Sequence, residues 1–292
     1  MKTAICAIVK NEERYVREWA EYHLGIGVDS IHVFEDYGSR SHKNVLGGLN
    51  GVTVTPISEY CIMDYGNARK QFELYSLFLE KNRSEYDWVL FIDVDEFVMF
   101  ADGYTLSRLE EEYADSPALW LCWKNYGAGG HIKRPEGGIV DNYVKVGVVA
   151  EESAQWGKKS LVNTRLCRHL KNIHIAYGGT DTQGNDNEKA PIQYEKAWIN
   201  HYFSKSWEDF CERIFERGNM SNNNRTLDLF FKTNPDMQPL KKELIESVRF
   251  RHARDTMWLS RDLKIISGGN VKRIEELEKR WQQNTIMQTA VR

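Results

Sequence analysis

The stretch Trp88-Val-Leu-Phe-Ile-Asp93-Val-Asp95-Glu96-Phe97 constrains this chain most. A strongly apolar strand, Trp88 to Ile92, runs straight into three carboxylates. In open α/β sheets, ligands bind at the carboxyl ends of strands. Two carboxylates two residues apart can face the same way from an extended backbone. Hard divalent cations such as Mg²⁺ and Mn²⁺ take oxygen ligands and share them with substrate phosphates. Asp93 and Asp95, with Val94 between them, therefore read as a metal site that holds a diphosphate. A solvated acidic turn after a strand is the plainer alternative.

The surrounding pattern sets this strand in a layered fold. Thr3 to Val9 reads as a buried strand, short, apolar and rich in small and β-branched residues. Asn11 to Leu24 has helical periodicity, with Tyr15, Trp19, Tyr22 and His23 on one side. Ser30 to Phe34 and Val52 to Ile57 are further strands, and Asn67 to Lys81 is a helix that buries Phe72, Tyr75 and Leu79. This alternation predicts an α/β layer with a mainly parallel sheet. Further on, Leu119 to Trp123 reads as a strand and the Gly-rich Tyr126 to Gly138 as a loop. Val140 to Val149 alternates as a strand does, and Thr180 to Lys189 is a polar loop. Ser206 to Arg217 reads as a helix, with Ser206 as N-cap and Asp209 at the capping-box position. The expected division is a domain over 1–220 and a helical, basic C-terminal extension over 221–292.

Charge and cysteine content narrow the function classes. The net charge of -3 gives no reason to expect a nucleic-acid partner. Five widely spaced cysteines without a CxxC argue against a disulfide scaffold or a zinc module, and fit a reducing compartment. No apolar run reaches the length of a membrane span, and the apolar Ala4 to Val9 gives way at once to Asn11, Glu12, Glu13 and Arg14. The expected location is the cytoplasm, or the inner face of a membrane. Residues 241–292 hold twelve Lys and Arg against seven Asp and Glu. That tail is either a solvated helical end or a peripheral contact with anionic lipid, through residues such as Arg249, Arg251, Arg254 and Trp258.

A second cluster is Trp198-Ile-Asn-His201-Tyr-Phe-Ser-Lys205-Ser206-Trp207. A helix N-terminus with a lysine can hold phosphate, and a neutral imidazole can complete a metal's coordination. Alone, His201 reads first as a hydrogen-bonded structural histidine. Asp64, Asn67, Arg69 and Gln71 lie at a helix start, where donor contact and helix capping explain them equally well. Trp120, Trp123 and Trp156 are core or sugar-stacking residues.

Six segments in order resemble glycosyltransferase family 92 and related family 2-like glycosyltransferases. They are Ile5 to Glu13, Trp19 to Asp36, Trp88 to Phe97, Trp123 to His131, Gly137 to Tyr143, and Ile199 to Ser206 with Arg217-Gly218. The resemblance implies a GT-A fold, a Rossmann-like nucleotide-binding sheet flanked by helices. It implies a metal-dependent, inverting transferase that moves a sugar, galactose by family habit, from a UDP-sugar to a hydroxyl of a glycan or lipid-linked glycan. Capsule or lipopolysaccharide synthesis is the expected setting. By position, Asp93 and Asp95 match the DxD that holds Mn²⁺ or Mg²⁺ and the donor diphosphate, and His201 matches the histidine that completes the metal site. Val9, Lys10, Asn11 and Glu12 match the nucleotide edge, with Asp36 against uracil or ribose. Gly127 to His131, including Gly130, matches the glycine-rich loop near donor sugar and acceptor. Lys205 offers a second positive contact to the diphosphate.

Asp141 stands where the family places an acidic residue, and is the expected base. The family's usual Glu is here Asp, and its following Arg is Asn142, so Glu151, Glu152 and Asp181 are also candidates. The competing readings are a nucleotidyltransferase or sugar-nucleotide synthase, and an inactive nucleotide-sugar-binding protein. The first would carry a Gly-rich basic loop after the first strand, where this chain has Lys10-Asn11-Glu12-Glu13.

Overall fold

The computed structural model describes residues 1–60, 62, 67–147, 157–177, 190–214 and 227–247. The chain forms two compact units. The first comprises residues 1–125, 149–203 and 219–224, and the second 126–148, 204–218 and 225–292.

The first unit is a mixed α/β layer with a mostly parallel sheet flanked by helices. β1 (Thr3–Val9) lies in the sheet interior with all seven residues buried, as expected for a strand covered on both faces. It pairs in parallel with β2 (Ser30–Glu35) and β4 (Trp88–Phe91), and β2 pairs in parallel with β3 (Val52–Pro56). β7 (Lys158–Asn163) runs antiparallel to both β4 and β6 (Ala118–Asn125). β11 (Ala197–His201) is parallel to β6 and antiparallel to β5 (Glu96–Phe100). Among the described residues the order is β3-β2-β1-β4-β7-β6-β11-β5, with β10 (Ile192–Gln193) joined to β6. β8 (His169–Leu170) and β9 (Ala176–Tyr177) pair separately.

This order has a geometric consequence. β4 and β5 are consecutive in sequence yet stand four strand steps apart, which is about 19 Å in a flat sheet. The link from Phe91 to Glu96 spans at most ~18 Å when fully extended. It is not extended, because the Glu96 N–H donates to the Asp93 carbonyl at 3.0 Å. The sheet therefore curls until the end of β4 meets the start of β5, and the Asp93 turn joins them.

Two helices position that turn. α1 (Val16–Gly25) buries Val16, Trp19, Ala20 and His23, the spacing of one helical face. Its side chains serve the edge strand β5. Trp19 Nε1 donates to the Glu96 carbonyl at 2.9 Å, Tyr22 Oη to the Val98 carbonyl at 2.6 Å, and the Val98 N–H donates to His23 Nε2 at 3.4 Å. Backbone groups that an edge strand would leave bare thus find partners. α3 (Asn67–Asn82) packs Tyr75 on Phe91 with ring centroids 4.6 Å apart, and Phe78 on Phe34 at 6.0 Å. α2 (Lys43–Leu46) and α4 (Leu106–Glu112) are the other described α-helices of this unit, and Ile57–Tyr60 is a 3₁₀ turn.

The second unit holds α5 (Ile139–Asn142), α6 (Trp207–Glu212) and α7 (Leu227–Thr233), a 3₁₀ turn Pro235–Leu240, and helical residues 241–247. Trp207, Phe210, Phe230 and Phe231 form its aromatic core, with Trp207 5.0 Å from Phe230. The capping box at Ser206 and Asp209 is present in both directions. The strand expected over Val140 to Val149 is corrected. Asn142 Nδ2 donates to the carbonyls of Glu136 and Gly138 at 2.8 and 2.7 Å, which holds a helical turn instead. Beyond it, Val144 and Val146 are exposed, a bridge between Tyr126 and Val146 is the β pairing among the described residues there, and Val148 and Val149 lie outside them.

Candidate active site

The Asp93 turn is clasped from both ends. The Asp93 N–H donates to Glu96 Oε2 at 3.0 Å, reciprocating the bond from the Glu96 N–H. Val94 is buried inside it. Asp93 Oδ2 accepts from Lys159 Nζ at 2.9 Å, and Oδ1 accepts from Gln71 Nε2 at 3.1 Å. The same Gln71 amide donates to Tyr75 Oη at 2.7 Å, so α3 orients Asp93 through one forked side chain. Lys159 is fully buried, while the Asp93 side chain is 35% exposed.

The ionisation pattern follows from burial and from Lys159. Burial works to raise the Asp93 carboxyl, but the adjacent Lys159 ammonium outweighs it and holds Asp93 below the ordinary range. Burial works to neutralise Lys159, and Asp93 and Glu96 reverse that, so Lys159 stays charged. Glu96 is fully buried, its Oε2 lies 3.6 Å from Lys159 Nζ, and its Oε1 has no hydrogen-bond partner. Burial lifts its carboxyl well above the usual range. The proton of a neutral Glu96 would belong on Oε1, because Oε2 already accepts.

Asp95 and His201 form the second half. Register places His201 opposite Glu96, and the Tyr202 N–H donates to the Asp95 carbonyl at 2.8 Å. His201 Nε2 and Asp95 Oδ1 face each other at 3.9 Å. His201 Nδ1 lies 2.8 Å from Asn125 Oδ1. An amide oxygen can only accept, so Nδ1 carries the hydrogen and a neutral ring turns a lone pair at Nε2 toward Asp95. Two electron-pair donors facing each other could share a cation if their side chains closed by a few tenths of an ångström. Among the described residues no three His, Cys, Asp or Glu side chains converge to hold a metal by themselves. A pair of protein ligands supplemented by donor phosphates and water is ordinary for Mg²⁺. The ring of His201 leans on Trp123 at 4.4 Å, and Trp123 meets His174 edge-on at 5.5 Å.

The nucleotide edge expected at Val9 to Glu12 closes against the loop after β2. The Asp36 N–H donates to the Val9 carbonyl, the Asn11 N–H to Ser39 Oγ, and the Glu12 N–H to His42 Nε2. Asn11 takes a left-handed backbone, φ 53°. Lys10 is half-buried beside it. The Asp36 carboxylate, expected to face a base or ribose, is buried in an ion pair with Lys70 and accepts from the Tyr37 N–H. Lys70 and Gln71, adjacent on α3, thus hold Asp36 and Asp93 respectively.

The remaining expected residues belong to the second unit. Gly130 has φ 88°, and His131 Nε2 lies 3.3 Å from the Asn142 carbonyl. Gly127 admits no side chain, because a Cβ there would stand 2.7 Å from Asn234 Oδ1. Asp141 is exposed on α5. Lys205 is buried with φ 49°. Burial works to raise the Asp209 carboxyl, and Lys205 leads the groups that bring it below its ordinary value. Asp64, Glu151, Glu152, Trp156, Asp181, the Thr180 to Lys189 loop and the basic tail from 248 onward lie outside the described residues. Lys159, Asn125, Lys70 and the clasp made by Glu96 were not foreseen. A lysine inside Lys158-Lys159-Ser-Leu-Val-Asn was the one available signal, since strand alternation must turn one of two adjacent lysines inward.

With this geometry in place, the family comparison is direct. The sequence model of glycosyltransferase family 92 matches residues 3–247. The chain belongs to glycosyltransferase family 92. It is 24% identical over 218 residues to a family 92 protein of Oryza sativa subsp. japonica, covering 73% of this chain and 35% of that protein. It is 23% identical over 217 residues to one of Ricinus communis, covering 73% and 37%. The chain thus spans about a third of the length of these relatives. The crystal structure of HddC from Yersinia pseudotuberculosis matches 72% of this family 92 chain and 96% of that chain at TM-score 0.39 and 9% identity, a likeness too loose to carry an argument. Among the described residues no helix is long and apolar enough to cross a membrane.

Proposed function

We propose that this family 92 chain is a metal-dependent glycosyltransferase that takes its sugar from a nucleotide-sugar donor, a UDP-sugar by family resemblance. The observation that carries this reading is the facing pair Asp95 and His201, with the His201 tautomer set by Asn125. Asp95 and His201 would hold Mn²⁺ or Mg²⁺ beside the Asp93 turn. A bound divalent cation would supply Lewis acidity to the leaving diphosphate.

The chain's own residues supply the rest. Asp93, kept ionised by Lys159 and oriented by Gln71, presents a fixed acceptor for a donor hydroxyl. The tied loops at Val9 to Glu12 and Asp36 to His42 form the edge for the nucleoside. A carboxylate must take the acceptor's proton as the hydroxyl attacks, and family position assigns this to Asp141. Inverting transfer to a glycan or lipid-linked glycan is the reaction we assign, in surface-polysaccharide synthesis.

Calorimetric titration of the purified chain with UDP, GDP and CDP, in Mn²⁺ and then in EDTA, tests the reading. UDP binding that EDTA abolishes, and that Asp95→Asn weakens at least about tenfold, is expected. Absence of nucleotide binding under every condition refutes it. Asp141→Asn is expected to bind UDP as the wild type does while losing transfer. Retained transfer moves the base elsewhere.

A further inference from the structure

We propose that Lys159 is a positioning residue of the donor site, a built-in cation that occupies the Asp93 carboxylate and so confines a divalent ion to Asp95 and His201. The inference deepens the reading above and rests on it. β7 places Lys159 opposite Leu121 of β6, with no exposed surface, while its neighbour Lys158 lies over the Trp120 ring. The inward lysine reaches the underside of the turn and contacts Asp93 Oδ2 at 2.9 Å. Gln71 takes the other oxygen. The carboxylate is thus engaged from behind by a full charge and a neutral amide, and still shows about a third of its surface.

Stability does not account for such a lysine. Burying an ammonium costs about as much as its ion pairs return, and replacing such a group of partners as a whole by apolar side chains is often neutral or stabilising. A site-directed role does account for it. Any divalent ion on Asp93 would share that group with the ammonium. Even with water-like screening, a unit charge next to a doubly charged ion weakens binding about tenfold. Asp95 feels less of this, because it acts on Lys159 more weakly than Asp93 and Glu96 do. Lys159 therefore turns a symmetric-looking pair of aspartates into two unequal groups, one for a cation and one for a neutral donor.

The test is Mn²⁺ binding by the full chain without nucleotide, read from the electron paramagnetic resonance of free Mn²⁺. Wild type, Lys159→Met, Lys159→Gln and the double variant Lys159→Met/Asp93→Asn are compared. The single variants are expected to bind Mn²⁺ about tenfold more tightly, through an Asp93 carboxylate that the ammonium no longer occupies. The double variant removes the pair as a neutral unit and is expected to stay within about threefold of wild type. A folded single variant that binds Mn²⁺ no more tightly overturns the proposal. Where the single variants fail to fold, the double variant decides, and a loss of more than about tenfold there makes Asp93 a metal ligand and overturns it. If the wild type binds neither Mn²⁺ nor nucleotide, the transferase reading fails and this proposal with it, whereas nucleotide binding without tighter Mn²⁺ binding by the single variants fails the proposal alone.

Discussion

Replacing His23 with Gln should remove a pH dependence that can be worked out in advance. His23 is fully buried under β5, and Trp19 O lies 2.7 Å from its Nδ1. The Val98 N–H points at Nε2. Nδ1 therefore carries the hydrogen, and protonation would set a second N–H against a donor. Burial lowers the folded pKa to about 4 from an ordinary 6.5. Between those values the unfolded chain binds the proton more readily, so the stability His23 contributes is complete above pH 6.5 and is lost as pH falls toward 4. The loss amounts to about 2 kcal/mol by pH 5 and about 3 kcal/mol by pH 4. The total stability curve is not diagnostic. His32 and His174 are lowered too, while Glu96 and Glu110 are raised by burial and act with opposite sign. The difference between wild type and His23→Gln isolates the group. Urea unfolding followed by circular dichroism should show the wild-type advantage over the variant shrinking by about 2 kcal/mol from pH 7 to pH 5. An advantage constant to within about 0.5 kcal/mol would refute the argument that His23 is held neutral by its place under β5.

Glu96→Gln keeps an acceptor for the Asp93 N–H and resembles the neutral acid that burial favours, so its unfolding free energy should lie within about 1 kcal/mol of wild type, whereas Glu96→Ala leaves a buried N–H bare and should cost about 2 to 3 kcal/mol. Gly157→Ala would place a Cβ 2.3 Å from Trp123 Cε3, and should destabilise by about 1 to 3 kcal/mol in the same assay. Because Trp123 supports the His201 ring, that variant should also bind Mn²⁺ less tightly, and unchanged affinity would separate the tryptophan from the site.

The parallel half of the sheet was legible because each of its strands is a short apolar run between turn signals. Thr3 to Val9 and Trp88 to Phe91 are buried along their whole length, and apolar side chains meet that demand except at Thr3 and Trp88, whose polar atoms find partners. In the antiparallel half only β6 was legible, as Leu119 to Trp123. β7 opens with two lysines, β5 opens with a carboxylate, and β11 carries Asn200 and His201. These strands hold the site, so chemistry displaced the pattern that would have marked them. The same reason hid the site's support. Asp93 and Asp95 announce themselves by adjacency, but Lys159 lies 66 residues from Asp93, and Asn125 lies 76 from His201. No spacing rule connects them, and only the strand order β4-β7-β6-β11 does. Val140 to Val149 failed in the opposite sense over its described residues, since its alternation was real but Val144 and Val146 are exposed.

The short link between β4 and β5 behaves like a hoop fastening. Its length is fixed by the curl it closes, so an added or deleted residue between Phe91 and Glu96 would have to be absorbed by the strands on both sides. Lineages carrying this architecture should therefore vary freely in the loops at either end of the sheet and show no length variation here. Substrates must also come to these carboxylates rather than be met by them. A turn clasped by Glu96 and tied to Lys159 and Gln71 is poorly placed to swing out as a gate, so under the proposed reaction any motion that admits donor falls to other parts of the chain.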